Sequence, residues 1–381
     1  MDAETASAAG FSSFEVSKSD LRRWRWNDDG VPGASRLETN QVLIEISKFS
    51  LTSNNVTYAR LGEATVKTTT IPYWRFFPTA DGWGSIPVWG VGQVVASRNS
   101  RIRSGEKLYG FFPMATHLTM TPTVQDRARV VDDTPHRREL AAIYQDYVLI
   151  DREDRYHHMG TNAYVVLRPV FSLSFCCALY LLSERYFGAA RIVISSASSK
   201  AALGLCHLLA KDRSSKIEIW GMTSAPNVEI VSERGRYDRV YSYDMIGDLP
   251  ADRPTIFVDI SGNQKLLAQV HHRLKSSLVY SCLAGFTHWN SVTNEQEMLP
   301  GPTPQLFSTP AHMVSLRSKL GVEGYWQRFT YEYGSFVEYV TPWLNIDRKF
   351  GKSAVERTYH EVLNGMVPPD VGNVLSISMS G

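Results

Sequence analysis

The sequence predicts an α/β protein in two parts, a compact β-rich barrel and a doubly wound parallel sheet. Three observations carry that expectation. Before about residue 150, short strand-like runs are separated by Gly/Pro turns. From Arg191 onward strand and helix patterns alternate, as in a parallel sheet with crossover helices. Between them in importance is the stretch Ile192 to Ala210. A β-branched run, Ile192 to Ile194, passes through small residues into a helical pattern with Leu203, Cys206 and Leu209 or Ala210 on one face.

Length and composition set the bounds. The 381 residues suffice for two domains and a sizeable core. Apolar content of 43% and charged content of 20% are those of a soluble globular protein. A net charge of +2 gives no reason to expect nucleic acid or an anionic membrane as partner. The cysteines Cys176, Cys177, Cys206 and Cys282 lack zinc-type spacing and read as reduced, buried thiols of a cytoplasmic protein. The N-terminus has no signal-peptide pattern. No apolar run approaches the ~20 residues of a membrane span. A monomer or homodimer is expected.

In chain order, Phe14 to Trp26 suggests an opening strand and Gln41 to Leu51 a second. Thr52 to Gly62 reads as a polar turn into a short helix stopped by Gly62. Tyr73 to Trp89 is aromatic, irregular and rich in Pro and Gly. Val88–Ser97, Lys107–Phe112 and part of Thr119–Val131 complete the barrel. Thr161 to Leu182 is helical and apolar with a break at Pro169. Strands follow at 216–222, 239–243, 254–260 and 277–283, with helices at 228–234 and 264–274. The tail from Ala311 is helical with aromatic interruptions, and Val374 to Met379 reads as a strand. The expected division is 1–160 joined by a returning 305–381, and 161–304 as the nucleotide-binding part.

A strand that feeds a helix through small residues is where a sheet protein binds phosphate, because the first helical N–H groups are unpaired and the dipole favours an anion. Ser196, Ser199 and Ala202 stand where a Gly-rich fingerprint has glycines, Ser198 lies between, and Lys200 adds a charge at the helix start. A plain strand–turn–helix with a serine cap is the alternative. At the second strand end, Thr223, Ser224 and Asn227 replace the acid that usually holds an NAD ribose, which suits a 2′-phosphate and so NADPH. Ser261 and Gly262 follow the third strand end, where Asp259 suits a capping role. Gly285 and Thr287 follow the fourth. For each turn, ordinary loop chemistry is the alternative.

This layout resembles the medium-chain dehydrogenase/reductase superfamily and, within it, the DUF2855 family. The resemblance rests on Leu51 to Ala59, Tyr73-Trp74 with Phe76 to Pro78, Ile86 to Gly90, Ser195 to Lys200 and Thr287 to Trp289. It implies a Rossmann-type doubly wound sheet plus a GroES-like β-barrel. The superfamily's zinc enzymes carry a Cys near the place of Asn54 and Asn55, and Gly-His-Glu where this chain has Trp89 to Gly92. The resemblance therefore points to the zinc-free quinone and enoyl reductases, with no metal.

An NADPH-dependent reductase of an apolar ketone, quinone or activated alkene is the expectation. A phenol or imidazole would lend the proton: Tyr58, beside Asn55, then Tyr73, with Tyr144 and Tyr147 later in the chain, or His288 at the nicotinamide end. Core packing is the alternative for each tyrosine. Trp74, Phe76, Phe77 and Trp289 would line an apolar pocket or simply fill the core. Arg317 would bind phosphate or a surface carboxylate. A non-redox NADP-dependent enzyme (lyase, isomerase or hydratase) and a non-catalytic nucleotide-binding protein are the rival readings.

Overall fold

The computed structural model describes residues 10–29, 36–63, 71–153, 160–212, 216–285 and 299–379. The chain divides into two units, Met1–Val166 with Leu344–Gly381, and Leu167–Trp343.

The first unit is the expected β-rich part. Its large sheet runs Asn345–Phe350, Val371–Ser376, Val42–Ser50, Pro87–Ser97, Lys107–Pro113, Asp146–Leu149, Arg129–Asp132, Pro122–Val124, and His117–Met120 pairs with Val42–Ser50. The long central strand pairs antiparallel with Pro87–Ser97 and slips register between Leu43 and Ile44 and between Ile46 and Lys48. Such bulges bend a strand and raise its twist, which curls a sheet toward closure. A smaller sheet, Trp24–Asn27, Ser13–Ser17 and Trp83–Ser85, holds the opening strands.

The tail returns to this unit later than the sequence suggests. The expectation of a return from residue 305 is corrected to Leu344. Gln305–Leu306 instead extends the parallel sheet of the second unit, and the helices Thr309–Leu320 and Val322–Val340 stay there. The physical reason is aromatic: Phe171 lies within 5.5 Å of Phe329, Tyr333 and Phe336, so the tail helices complete that unit's core.

The same packing explains two further departures. Thr161–Ser183 is one continuous helix through Pro169, with no break. It is also long and apolar enough to cross a membrane, contrary to the expectation that no stretch would be. Arg168 and Pro169 hide that length in the sequence. Within the protein, 67% of its most apolar window is buried, Phe171 and Phe175 fully so, as suits a core helix.

The second unit is a six-stranded parallel sheet in the order Arg239–Ser242, Glu218–Thr223, Arg191–Ile194, Thr255–Asp259, Leu278–Leu283, Gln305–Leu306. Numbered along this unit, that is 3-2-1-4-5-6, the doubly wound order. The direction of winding reverses between Arg191–Ile194 and Thr255–Asp259. The crevice beyond the carboxyl ends of those two strands is where such sheets bind ligands.

Candidate functional site

The turn after Ile194 is built as the sequence suggests, with serine doing a glycine's work. Ser196 adopts φ 52°, the left-handed region that costs an L-residue roughly 1–2 kcal/mol. Ser199 caps the helix Lys200–Leu209, its hydroxyl accepting the Ala202 N–H at 3.2 Å. Lys200 is the first helical residue. Close contact supports the turn from below: a Cβ on Gly221 would lie 2.8 Å from that of Ala197, and the Tyr237 hydroxyl donates to the Ala197 carbonyl at 3.1 Å.

The second turn meets the first. Thr223 Oγ1 donates to Ser198 Oγ at 3.2 Å, and Asn227 Nδ2 donates to Ser198 Oγ at 3.4 Å and to Ser224 Oγ at 3.1 Å. These four polar side chains, chosen separately from the sequence, form one cluster. Apart from them, the 221–227 segment carries only Gly, Met, Ala and Pro, so no carboxylate stands there.

The third turn is braced by two residues the sequence reading did not place in the site. Ser195 is fully buried. Its hydroxyl donates to Asp259 Oδ1 at 2.7 Å and accepts the N–H groups of Ile260 and Ser261 at 2.9 and 3.0 Å. Asp259 Oδ1 also accepts from the backbone N–H and hydroxyl of Ser261 and the N–H of Gly262. Burial pushes the Asp259 carboxyl above its ordinary range, and these donors pull it back. Asp259 thus organises a turn, the capping role its position suggested. Gly285 approaches this turn so closely that a Cβ would lie 2.0 Å from the Ile260 carbonyl oxygen.

Tyr243 also escaped the sequence reading. It follows the strand Arg239–Ser242, and its hydroxyl accepts the Ser196 N–H at 3.0 Å. Its separation of 47 residues from Ser196 leaves no local signal. Among the described residues, no hydrogen bond or ion pair joins Arg317 to the turns. Its guanidinium lies over the rings of Tyr325 and Trp326, at 5.3 and 5.0 Å. Thr287, His288 and Trp289 lie outside the described residues.

In the first unit, Tyr58 and Tyr73 do come together, and Tyr144 joins them. Tyr58 sits on the helix Ser53–Arg60 and stacks on Tyr73 at 4.4 Å. Its oxygen accepts from Asn54 Nδ2 at 2.7 Å and Trp89 Nε1 at 3.4 Å. Tyr73 and Tyr144 share a hydrogen bond of 2.9 Å between hydroxyls. Burial raises all three phenols above the ordinary tyrosine range.

Asn55 has a structural occupation. Its Oδ1 accepts the Thr52 N–H at 2.8 Å and its Nδ2 donates to the Pro87 carbonyl at 2.9 Å. The helix start is thereby tied to the neighbouring strand. Trp74, Phe76 and Phe77 are buried, Phe76 completely. Trp74 is clamped between Gly62 and Gly84, whose Cβ atoms would lie 2.0 and 2.5 Å from its ring. Trp74 is packed as a core residue would be.

The model of the protein family of unknown function DUF2855 matches residues 49–368. The chain belongs to the DUF2855 family. No curated protein matches it by sequence. Solved structures resemble this DUF2855 chain over nearly all its length. CurA in complex with NADPH from Vibrio vulnificus gives a TM-score of 0.59 at 10% identity, covering 97% of this chain and 99% of that one. A probable oxidoreductase from Mycobacterium abscessus gives 0.51 at 11%, covering 96% and 98%. Galactitol-1-phosphate dehydrogenase from Escherichia coli gives 0.50 at 11%, covering 96% and 99%. At these identities the likeness establishes the fold. This DUF2855 chain has the medium-chain reductase architecture, a Rossmann-type unit and a separate, mostly antiparallel β unit.

Proposed function

We propose that the protein is an NADPH-dependent reductase that delivers hydride to an apolar ketone, quinone or activated alkene without a metal. The observation that carries this reading is the turn from Ser195 to Lys200. It stands at the reversal point of a 3-2-1-4-5-6 sheet, held left-handed at Ser196, and opens a helix of ten residues. A diphosphate is the ligand such a turn suits. Ser198, Thr223, Ser224 and Asn227 would hold the 2′-phosphate of the adenosine ribose, with Lys200 supplying charge. Gly262, Ser261 and Gly285 would let the rest of the dinucleotide approach.

NADPH supplies the hydride when bound. The protein's own groups orient the acceptor and lend the proton, for which Tyr58 is the leading donor. Among the described residues no group of three or more His, Cys, Asp or Glu side chains could hold a metal. The four cysteines are buried free thiols, in keeping with a cytoplasmic, reducing setting. A small apolar substrate and a monomer or homodimer complete the proposal.

Calorimetric titration tests it. NADPH is expected to bind and NADH to bind more weakly. Lys200→Ala is expected to lose about tenfold in NADPH affinity, the scale of one charge-assisted contact of ~1.4 kcal/mol. Binding of neither nucleotide would end the reading. The internal partners of the turn favour a second possibility, since Tyr243 holds the Ser196 N–H and Ser198 is bonded to its neighbours. A protein that binds NADP without net redox turnover would fit them. Mass analysis of product against NADPH consumed separates the two.

A further inference from the structure

The loop between the strands Pro87–Ser97 and Lys107–Pro113 is basic and firmly pinned. Ser97 Oγ donates to the Ile102 carbonyl at 2.6 Å, and Asn99 Nδ2 donates to the Pro122 carbonyl at 3.1 Å. Gly105, at φ 93°, turns the chain into the next strand. Ile102 is buried, whereas Arg101 and Arg103 on either side of it are exposed. That alternation sets both arginines on the outer side of the loop. With Ser100, Ser104, Glu106, Asp151 and Arg152 they line a cavity of about 590 Å³. The cavity belongs wholly to the first unit and shares no residue with the turn from Ser195 to Lys200.

Three arginines there meet two carboxylates, and the internal bonds leave two of the arginines without one. Glu106 accepts Arg152 Nε at 2.6 Å and Nη2 at 2.9 Å, and the Arg103 N–H at 2.7 Å. Arg152 Nη2 also reaches the Arg101 carbonyl at 2.8 Å, so this guanidinium is occupied. Asp151 accepts the Lys107 N–H at 3.3 Å. The Arg101 guanidinium donates to the Val124 carbonyl at 3.2 Å. Among the described residues, neither Arg101 nor Arg103 has a carboxylate partner, and no hydrogen bond involves the Arg103 guanidinium.

We propose that this cavity is a second ligand site, for a phosphate group that is free or carried by a small molecule. Arg101 and Arg103 grip its oxygens, since a guanidinium fork matches phosphate geometry. Ser100 and Ser104 add hydroxyl donors. Glu106 and Asp151 bound the positive patch and repel a longer run of negative charge. A compact anion therefore fits where a nucleic acid or an anionic membrane does not. The lining is polar, so an apolar hydride acceptor does not fit either. The site stands apart from the reductase reading, because it needs neither the nucleotide nor turnover.

The test is calorimetric titration of the full chain with inorganic phosphate and with glycerol 3-phosphate. Ionic strength is held constant, because exposed charges are screened. Lys200→Ala is titrated alongside, since the nucleotide turn is itself an anion site in the reductase reading. Wild type and Lys200→Ala are both expected to bind. Arg103→Ala should lose about tenfold in affinity, the scale of one charge-assisted contact. Adding Arg101→Ala should bring the loss to about a hundredfold. Arg103→Ala removes no side-chain bond seen in the fold, so its urea midpoint should match wild type. Tighter glycerol 3-phosphate identifies the ligand as a phosphate ester, and inorganic phosphate at equal or better affinity identifies it as the free ion. No binding by wild type up to ~10 mM, or equal binding by wild type and the double variant, overturns the site and leaves the NADPH titration to be judged by itself. Binding lost in Lys200→Ala but kept in the arginine variants assigns the anion to the nucleotide turn and overturns the proposal as well.

Discussion

Ser195 Oγ donates to Asp259 Oδ1 at 2.7 Å, joining the carboxyl ends of the two strands between which the sheet reverses its winding. One hydroxyl thus serves three partners: it donates to the carboxylate and accepts two backbone N–H groups of the next turn. Ser195→Ala would take away the partner of the Ile260 N–H and one of the donors to the buried Asp259 carboxylate, while the Ser261 N–H keeps its bond to Asp259. The expected loss is on the order of 1–3 kcal/mol, the cost of unsatisfied buried groups. Urea unfolding of the variant, read as a lower midpoint at unchanged slope, checks it. NADPH affinity should fall too, because the Ser261–Gly262 turn loses its brace.

Ser196→Gly tests the serine that stands in left-handed backbone. Glycine removes the steric cost of φ 52° but gains freedom in the unfolded chain. The two terms are of similar size, and the steric one is the larger for an L-residue held there by packing. The expected outcome is a gain of up to ~1 kcal/mol in thermal or urea unfolding with NADPH affinity kept. A loss of stability would mean that the Ser196 side chain supports the turn in a way its hydrogen bonds do not reveal.

How much of this was readable beforehand follows from how local each signal is. The helices Val228–Arg234 and Gln264–Leu274 were legible because Gly235 and Asn263 mark an end and a start within a few residues. The parallel sheet followed from alternation alone. Tyr243 was illegible, because its bond to Ser196 depends on the 3-2-1 strand order, which no local pattern encodes. The boundary at Leu344 was illegible for a similar reason. The tail helices look like a return until Phe171 shows which core they complete. Tyr58 is a candidate by its place after Asn54 and Asn55 in the stretch that carries the family resemblance. Its partners Tyr144 and Trp89 lie in distant segments that only the folded barrel assembles.

Trp74 separates pocket from core. With Gly62 and Gly84 pressed against its ring, it fills space that a Cβ at either glycine would invade. Trp74→Ala is expected to destabilise by ~3–5 kcal/mol, as large-to-small changes of buried aromatics do. A substrate-lining residue would instead change KM at constant stability. Measuring urea unfolding beside KM for several enones decides between them: a large KM change with unfolding unaltered would return Trp74 to the pocket.

His207 gives the fold a pH dependence of known sign. It is buried beside the ring of Tyr339, with Nε2 paired to Ser335 Oγ at 3.1 Å. Burial, then the charges of Arg236 and Lys211, depress its imidazole to about 4. Glu332, facing it across the Lys211 ion pair, leaves that order unchanged. The unfolded chain titrates near ~6.5. Between those values the unfolded state binds more protons than the folded one, so stability falls as pH falls. The contribution is fully present above about pH 6.5 and drains away as pH drops toward 4. His207→Gln keeps a polar side chain and removes the titration. The stability difference between wild type and His207→Gln should shift against wild type across that window and be constant above it. Urea midpoints at half-unit steps from pH 4.5 to 8 measure it; a constant difference throughout would show that folding does not shift His207, and a difference moving the other way would show that folding raises it.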